Sequence, residues 1–451
     1  MSEMTPESVS QLRDLVRTSD PPSLGELLEP LHPADIAEIL DGLENEEKVR
    51  VLKQLDTEKA AEVLTVVDEQ SGQALLELLT DTEVVSLLGE MPSDDAVDLM
   101  AGMPPEKSKQ IDALLPSDER EILHELMEFD EDTAGGIMEA EKIAVTEEAT
   151  IRDAIGLVRQ QADEIENIQN VYVINRAGQL IGSVPILDLL RHDPGTAVKD
   201  VMEDHVIAVP VDMDQEDVAS LFGKYDEFTL PVVDADGKLV GRITADDILD
   251  VLEEEASEDI VRIVGTVEEE IGEKSPIKIS RARLPWLIIA MLGQILNAMI
   301  MSRFAVPLET AVTLAFFIPL VIGTAGGAGI QAAVVVVREI AVGEISPGFI
   351  WRRVFREMQV TVFNGLVLGA VLFSLVMLWQ QDLSLGLLLL VSLFTVTVVA
   401  AFMGASIPLL MNRTKIDPAI ATGPFITVLS DITGLVIYMT FATYYVAYIS
   451  R

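Results

Sequence analysis

The sequence predicts a multi-domain protein that combines an all-α superhelical solenoid, a repeated α/β module and an all-α membrane domain of five transmembrane helices. Three observations predict this class: an uneven distribution of charge, a twelve-residue repeat of apolar positions and five long apolar runs. The predicted boundaries are a flexible tail at 1–22, the solenoid at 23–130, the α/β module at 131–252, an acidic linking helix at 253–280 and the membrane domain at 281–451.

The negative charge of the chain is concentrated before residue 281. The chain has 74 acidic and 31 basic residues and a net charge of −43. Residues 281–451 contain seven acidic and ten basic residues, so the first 280 carry a charge of −46. This asymmetry predicts an acidic aqueous module joined to a membrane module, although adaptation to high salt is an alternative source of the acidity. Residues 1–22 lack the apolar core of a signal peptide, so we expect a cytoplasmic aqueous module. The absence of cysteine excludes thiolate metal sites and cysteine catalysis.

Apolar residues recur every twelve positions through the first 130 residues. Polar or proline-containing pairs follow them, such as His32-Pro33 and Asp56-Thr57, and these residue types start helices. Short helices cannot bury a face alone, so units of one helix and one turn stack into a solenoid, here a scaffold or moving lid. The repeat positions are Leu31, Leu43, Leu55, Val67, Leu79, Met91, Met103 and Leu115.

A second repeat fills residues 137–256 and has mixed α/β character. Each half reads as a strand, a glycine turn, a second strand and a helix that begins near an aspartate. The matching pairs, each 59 residues apart, are Gly178 and Gly237, Gly182 and Gly241, and Asp188 and Asp247.

This α/β repeat resembles a tandem pair of CBS domains, a regulatory module that often binds adenine nucleotides. The resemblance implies nucleotide contacts, for ATP or another adenine nucleotide, at Gly241, Thr244 and Asp247. Pro185 replaces the matching threonine in the first half, so at most one site is competent. A CBS pair that only dimerises and relays motion is the alternative.

Acidic residues crowd the helix that leaves the second CBS repeat, with more in the solenoid. Like charges at helical spacing repel each other unless a cation lies among them. Clusters with only oxygen ligands suit hard divalent ions such as Mg²⁺ or Ca²⁺. A solvated acidic surface is the alternative. The carboxylates concerned are Glu62, Asp94, Asp98, Asp247, Asp250, Glu254, Glu255, Glu258 and Asp259.

Five apolar runs are each long enough to span a bilayer: 284–302, 311–337, 358–379, 383–411 and 419–449. Basic residues precede the first run and lie between the second and third and between the fourth and fifth. The positive-inside rule therefore places the amino terminus in the cytoplasm and Arg451 outside.

Asp431 is the only ionisable residue deep inside these runs. A carboxylate at that depth costs several kcal/mol, so by default it faces a partner, water or an ion. Gly423 interrupts the same run, and Thr427 and Ser430 add hydroxyl groups to it. The second run has a glycine-rich stretch, 323–329, of the kind that lines a cavity or packs closely. These features favour cation transport.

The complete arrangement is similar to a magnesium transporter of the MgtE family over essentially the whole chain. The segments that carry the resemblance are Ala134-Gly135-Gly136, Asp247 to Asp250, Glu258-Asp259 and Leu429 to Gly434. It implies a homodimer in the lipid bilayer, with a pore between the second and fifth spans and the transported Mg²⁺ held at Asp431. It also implies that the linking helix, or plug, closes the pore when cytosolic Mg²⁺ screens the acidic faces. The implied sensing residues are Glu62, Asp94, Asp98, Asp247, Asp250, Glu255, Glu258 and Asp259.

The chain departs from the MgtE family at amide positions. The asparagine pattern usual in the second span is Gly327-Ala328-Gly329-Ile330-Gln331 here, and an asparagine common in the fifth span is Gly423. Transport of another divalent ion such as Co²⁺ or Mn²⁺, or a transporter under nucleotide control, therefore stays open. An intramembrane metalloprotease would need histidine ligands at membrane depth, and the four histidines lie in the aqueous half. We expect no enzyme and no nucleic-acid partner.

Overall fold

The computed structural model describes residues 6–18, 21–162, 165, 167–264, 275–341, 350–414, 418 and 422–450. The chain divides into two compact units. The N-terminal unit, residues 1–252, contains the helical repeats and the α/β module. The membrane unit, residues 253–451, contains the long apolar helices.

The predicted solenoid is present, with one helix in each twelve-residue repeat from α3 onward. The repeat positions follow the ends of these helices, and six of the eight are buried while Leu31 and Leu55 pack against the same core. The helices are α1 (Pro6–Thr18), α2 (Pro21–Leu28), α3 (Pro33–Leu40), α4 (Asn45–Leu52), α5 (Thr57–Val66), α6 (Glu69–Leu78), α7 (Asp81–Leu88), α8 (Ser93–Ala101), α9 (Pro105–Leu114) and α10 (Ser117–Leu126).

The helices of the solenoid stack in two alternating rows. In one row α3 contacts α5, α5 contacts α7 and α7 contacts α9; in the other α4 contacts α6, α6 contacts α8 and α8 contacts α10. Helices of eight to ten residues are marginal in water, so their stability comes from this packing. A helix therefore has its closest neighbours two positions away in sequence.

Side-chain caps start several of these helices. The Asp56 carboxylate accepts a hydrogen bond from the Lys59 amide at 2.9 Å. Thr80 and Glu83 form a reciprocal capping box at α7. Hydrogen bonds from Lys53 and then Thr80 lower the pKa of Glu83 to about 2, so this cap stays charged at neutral pH.

Residues 6–18 differ from the predicted flexible tail. They form α1, whose Val9 and Val16 are buried against the solenoid core. Arg13 Nε donates a hydrogen bond to the Ile39 carbonyl at 3.0 Å. The spacing of Val9, Leu12 and Val16 gives the segment one apolar face, and burial of that face orders it.

The α/β module has two three-stranded sheets of the same topology, in agreement with the predicted CBS pair. In each sheet the first strand runs parallel to the second and the second antiparallel to the third. The strands are β1 (Ala144–Thr146), β2 (Asn170–Ile174), β3 (Leu180–Pro185), β4 (Val209–Pro210), β5 (Thr229–Val233) and β6 (Leu239–Thr244), and the helices are α11 (Ile151–Gln161), α12 (Ile186–Arg191), α13 (Gln215–Tyr225) and α14 (Ala245–Val264).

The two glycine turns of the α/β repeat bond to each other. Gly178 and Gly237 have φ values of +82° and +78°, a region that glycine enters without steric cost. The Leu180 amide donates to the Gly237 carbonyl at 3.0 Å, and the Leu239 amide donates to the Gly178 carbonyl at 3.1 Å. The 59-residue repeat is therefore a structural one, since equivalent residues of the two halves make equivalent bonds.

The predicted linking helix, 253–280, is described only in part. Residues 253–264 continue α14 without a break from the second CBS repeat. Residues 265–274 lie outside the described residues, and Pro276 already belongs to the first membrane helix.

Among its described residues the membrane unit contains five helices that are long and apolar enough to cross a bilayer, as predicted. Among them α19 contacts α17, α18 and α20. Gly404 of α19 lies against the Gly329 carbonyl of α17, where a side chain would overlap the backbone. The helices are α15 (Pro276–Ser302), the short α16 (Ala305–Thr310), α17 (Thr313–Ala341), α18 (Ile350–Trp379), α19 (Leu383–Arg413) and α20 (Thr427–Ile449).

Candidate functional site

Asp431 lies on α20, one of the membrane-length helices, and is 6% exposed. A π-helical turn, Thr422–Ile426, precedes this helix, and Gly423 within it has φ −23° and ψ −126°, outside helical geometry. Thr427 Oγ1 donates a hydrogen bond to the Gly423 carbonyl at 3.0 Å. This bond satisfies a carbonyl near the break in the apolar environment, so the Thr427 hydroxyl proton is already used.

Helix α17 approaches Asp431 through glycines. A Cβ atom on Gly326 would lie 3.3 Å from Asp431 Oδ1, and one on Gly329 would lie 2.6 Å from Ser430 Oγ. The Ser430 hydroxyl is buried and has no hydrogen-bond partner in the described part of the chain. The structure therefore brings the glycine-rich second span and the carboxylate of the fifth span together. The pore that the resemblance implies between these spans stays a prediction.

Gln294 of α15 is a partner of Asp431 that sequence reasoning missed. Its Nε2 donates to Asp431 Oδ2 at 2.9 Å, and its Oε1 accepts a hydrogen bond from Asn297 Nδ2 at 3.4 Å. Gly293 allows this approach because a side chain there would overlap Val428 of α20. The signal was visible in the sequence as two amides three residues apart in the run 284–302.

A second group of carboxylates lies in the N-terminal unit. We call it the acidic cluster: Asp94, Asp95 and Asp98 of α8 with Asp246, Asp247 and Asp250 of α14. Burial and then the charge of Asp247 raise the pKa of Asp94 well above its usual value. The same two causes raise the pKa of Asp95 to about 7. Asp94 Oδ1 is buried without a hydrogen-bond partner among the described residues.

The segment 139–141, which precedes β1, contacts both α8 and the second CBS repeat. Ser93 Oγ donates to Glu141 Oε2 at 2.7 Å and accepts from the Ala140 amide at 2.7 Å. Glu139 pairs with Arg242 of β6 inside the same junction, with a shortest distance of 2.6 Å. Asp95 and Glu139 were absent from the predicted site, because their position depends on how the repeats pack.

The other predicted sensing residues are more dispersed. Glu62 lies on α5, in the row of solenoid helices that does not contain α8. Glu255 and Glu258 lie on the last turns of α14, and Glu258 pairs with Arg262. The side chain of Asp259 lies outside the described residues. Within the described ranges no three carboxylate or histidine side chains are close enough to hold a metal ion, so the sensing role of these residues stays a prediction.

The residues predicted to contact a nucleotide already have partners within the protein. Thr244 and Asp247 are hydrogen-bonded to each other, and Gly241 packs against the backbone of Glu139. The Thr244 amide and hydroxyl both donate to Asp247 Oδ2, at 2.7 and 2.9 Å, and the hydroxyl also lies 2.5 Å from Asp246 Oδ1. One hydroxyl proton cannot satisfy two carboxylates. Burial raises the pKa of Asp247 although the Thr244 bonds oppose it. Gly241 is required by packing, since a Cβ atom there would lie 2.6 Å from the Glu139 carbonyl.

Comparisons with known proteins match both units. Family models match residues 31–132 as the MgtE intracellular N domain, 134–195 and 198–254 as CBS domains, and 318–441 as the MgtE divalent cation transporter. The magnesium transporter MgtE of Enterococcus faecalis is 37% identical over 324 residues, which are 72% of this chain and 71% of that protein. The magnesium transporter MgtE of Thermus thermophilus is 38% identical over 320 residues, covering 70% and 71%.

A solved structure supports the fold of the N-terminal unit. The cytosolic domain of the Mg²⁺ channel MgtE in complex with ATP matches with a TM-score of 0.52 and 35% identity, over 54% of this chain and 99% of that domain. Helical repeats, a CBS pair and apolar helices of membrane length together define a multi-pass membrane transporter. The chain belongs to the MgtE family of divalent cation transporters.

Proposed function

We propose that the chain transports Mg²⁺ across the cell membrane as a homodimer, with Asp431 of each copy facing the ion, and that it is not an enzyme. The observation that carries this proposal is the burial of Asp431 between the glycine face of α17 and the amide of Gln294. Relatives of more than a third identity that are named as magnesium transporters support the choice of ion.

The chemistry of Mg²⁺ fits a site with few charges. Mg²⁺ loses water reluctantly and is usually bound through one or two carboxylates while it keeps several waters. One Asp431 from each copy in a dimer would supply two carboxylates to such an ion. Gly423, Thr427 and Ser430 belong to the same proposed site, with Gly423 shaping the backbone beside it. Co²⁺ and Mn²⁺ are the alternative cargo ions for this set of oxygen ligands.

The acidic cluster supports regulation by cytosolic Mg²⁺. Without a cation, the half-buried Asp94 and Asp95 are repelled by the charge of Asp247, and this repulsion opposes the close placement of α8 and α14. A divalent cation would remove that repulsion and favour the packed state, which we propose is the closed one. An ion that binds one state better shifts the population toward it. Glu62, Asp98, Asp250, Glu255, Glu258 and Asp259 are proposed to contribute to the same response.

A nucleotide is a second candidate ligand of the CBS pair. The matched cytosolic domain was solved with ATP, and Thr244 and Asp247 are present at the implied positions. We propose that ATP or another adenine nucleotide binds at Thr244 and Asp247 and modulates the response of the acidic cluster, because both sites use Asp247.

The orientation follows from the distribution of basic residues. We propose that the N-terminal unit is cytoplasmic and that the carboxyl terminus is external. The five membrane-length helices of the described residues, if each crosses once, place the two ends on opposite sides of the membrane. The basic connections between helices belong on the cytoplasmic side.

Flux measurements on Asp431 variants test the proposed function. Asp431→Asn keeps the shape of the side chain and removes its charge, so we expect Mg²⁺ uptake into proteoliposomes to fall about 100-fold or more, equivalent to about 2.8 kcal/mol. Asp382→Asn is the matched control, because asparagine also caps a helix and Asp382 starts α19 away from the proposed site. Uptake by Asp431→Asn equal to that of the control, with both variants dimeric, would reject the pore assignment.

A further inference from the structure

The amides of α15 form a short hydrogen-bonded chain that ends on Asp431. Gln294 Nε2 donates to the carboxylate at 2.9 Å, and Asn297 Nδ2 donates to Gln294 Oε1 at 3.4 Å. Asn297 is 5% exposed, whereas Gln294 lies on the exposed side of α15. This series of hydrogen bonds therefore leads from the buried Asn297 amide through the exposed Gln294 amide to the Asp431 carboxylate, the proposed ion ligand.

The carboxylate determines the orientation of both amides. A charged Asp431 only accepts hydrogen bonds, so Gln294 must turn its NH₂ group toward it. The Gln294 oxygen then requires a donor, and Asn297 must supply its own NH₂ group. This leaves Asn297 Oδ1 as a buried acceptor with no partner in the described part of the chain. A buried acceptor in that state is an expected place for a water or a hydrated ion.

The other helices next to Asp431 contribute hydroxyl groups and glycines at this point, and the buried Ser430 hydroxyl of α20 is one of these hydroxyls. The face of α17 at this point consists of Ala325, Gly326 and Gly329. The Thr427 hydroxyl donates to the Gly423 carbonyl. Side-chain amides close to the carboxylate therefore come from the first span, although the second and fifth spans contribute the glycines and the charge.

We propose that Gln294 and Asn297 complete the ion site: Gln294 positions the Asp431 carboxylate, and the Asn297 carbonyl accepts a hydrogen bond from water on a hydrated divalent cation. The inference rests on the proposed function of Asp431. It makes the two amides specificity-determining, because they recognise the hydration shell that Mg²⁺ keeps and that larger ions such as Ca²⁺ and Mn²⁺ exchange more readily.

The test uses full-length protein in proteoliposomes with Mg²⁺, Mn²⁺ and Ca²⁺ as probe ions. Gln294→Met and Asn297→Leu remove the amides at similar side-chain length. We expect the Mg²⁺ concentration for half-maximal uptake to rise about tenfold in Gln294→Met, which loses a hydrogen bond to a charged group, and by a factor of about three to ten in Asn297→Leu, which loses a hydrogen bond between neutral groups. We also expect the preference for Mg²⁺ over Mn²⁺ and Ca²⁺ to fall, a change that a purely structural role would not produce. Asn364→Leu, the same kind of change on α18, is the control and should alter neither quantity.

The outcomes separate this inference from the proposed function. Unchanged ion preference in both amide variants, with uptake abolished in Asp431→Asn, overturns the inference and leaves the pore assignment intact. Undiminished uptake in Asp431→Asn rejects both. Should Asn297→Leu fail to assemble as a dimer, Asn297→Ala removes the amide without added bulk and carries the same expectation and the same overturning result.

Discussion

Asp431 in the membrane unit is a buried carboxylate and Asp95 in the N-terminal unit is a half-buried one, and the two have different surroundings. Asp431 has a neutral amide donor, Gln294, and glycine backbone against it. Asp95 has other carboxylates around it, namely Asp98, Asp246, Asp247 and Asp250. A neutral donor stabilises a buried charge without a counter-charge of its own, whereas like charges penalise it until a proton or a cation arrives. The first arrangement suits a site that an ion must leave again, and the second suits a sensor whose packing depends on the ion.

Glu139 extends the comparison of buried carboxylates to a third kind of neighbour, because it lies beside the positively charged Arg242. Glu139 and Arg242 are 8% and 4% exposed, and burial still raises the pKa of Glu139 to about 7 in spite of Arg242. We expect Arg242→Leu to destabilise the N-terminal unit by about 3 to 5 kcal/mol, since it leaves a carboxylate buried without its partner. Hydrogen exchange of β5 and β6 in the full-length protein measures the change.

Arg191→Leu is the matched control for that variant. Arg191 pairs with Asp188 in the first CBS repeat, but its side chain is 73% exposed. Loss of an exposed pair should cost about 1 kcal/mol or less. If hydrogen-exchange protection fell equally in Arg191→Leu and Arg242→Leu, burial of the Glu139–Arg242 pair would not increase its contribution to stability.

Asp95→Asn tests the like-charge side of the comparison. Because the pKa of Asp95 is raised from 3.8 to about 7, the folded protein binds a proton more tightly than the unfolded chain does. Stability of the wild type should therefore fall as the pH rises from about 4 to about 7 and stay low above that. Without Mg²⁺ at pH 8 we expect the variant to gain on the order of 1 to 3 kcal/mol in the hydrogen exchange of α8.

Asp118→Asn is the control for this prediction. Asp118 is an exposed residue of the first turn of α10 and lies outside the acidic cluster. It should show no comparable gain. A wild-type stability that rises between pH 4 and 7 in the α8 region would contradict the assigned repulsion.

The smallest expected effect is a competition between protons and Mg²⁺ at the acidic cluster. Below pH 7 the raised pKa keeps a proton on Asp95, and a cation must displace it. The Mg²⁺ concentration that half-protects residues 245–264 from protease should rise about tenfold for each unit of pH lowered, if one proton is released. If the half-protecting Mg²⁺ concentration were the same at pH 8 and pH 6, Asp95 would not take part in Mg²⁺ sensing. Protection from protease by ATP without Mg²⁺ would favour nucleotide control.

The parts of this molecule that follow from local patterns could be predicted from the sequence. The twelve-residue repeat gave one helix per unit, and the 59-residue repeat gave two sheets of equal topology, because both depend on residues close together in the chain. The α1 helix was missed because its polar residues dominate the composition, although Val9 and Val16 give it a buried face. The amide pair at Gln294 was missed because no local rule connects it to a residue 137 positions away.

The sequence by itself determined the classes of the domains, the five spans and the presence of Asp431 at membrane depth, since hydrophobic periodicity and the cost of a buried charge act within each segment. Only the tertiary structure decided which neutral groups contact that charge and which carboxylates repel each other. Packing of α15 on α20 gives Asp431 its amide donor. The fold of the N-terminal unit brings Asp95 of α8 within electrostatic reach of Asp247 of α14. Electrostatic interactions depend on distance through space, and the separation of residues along the chain does not specify that distance.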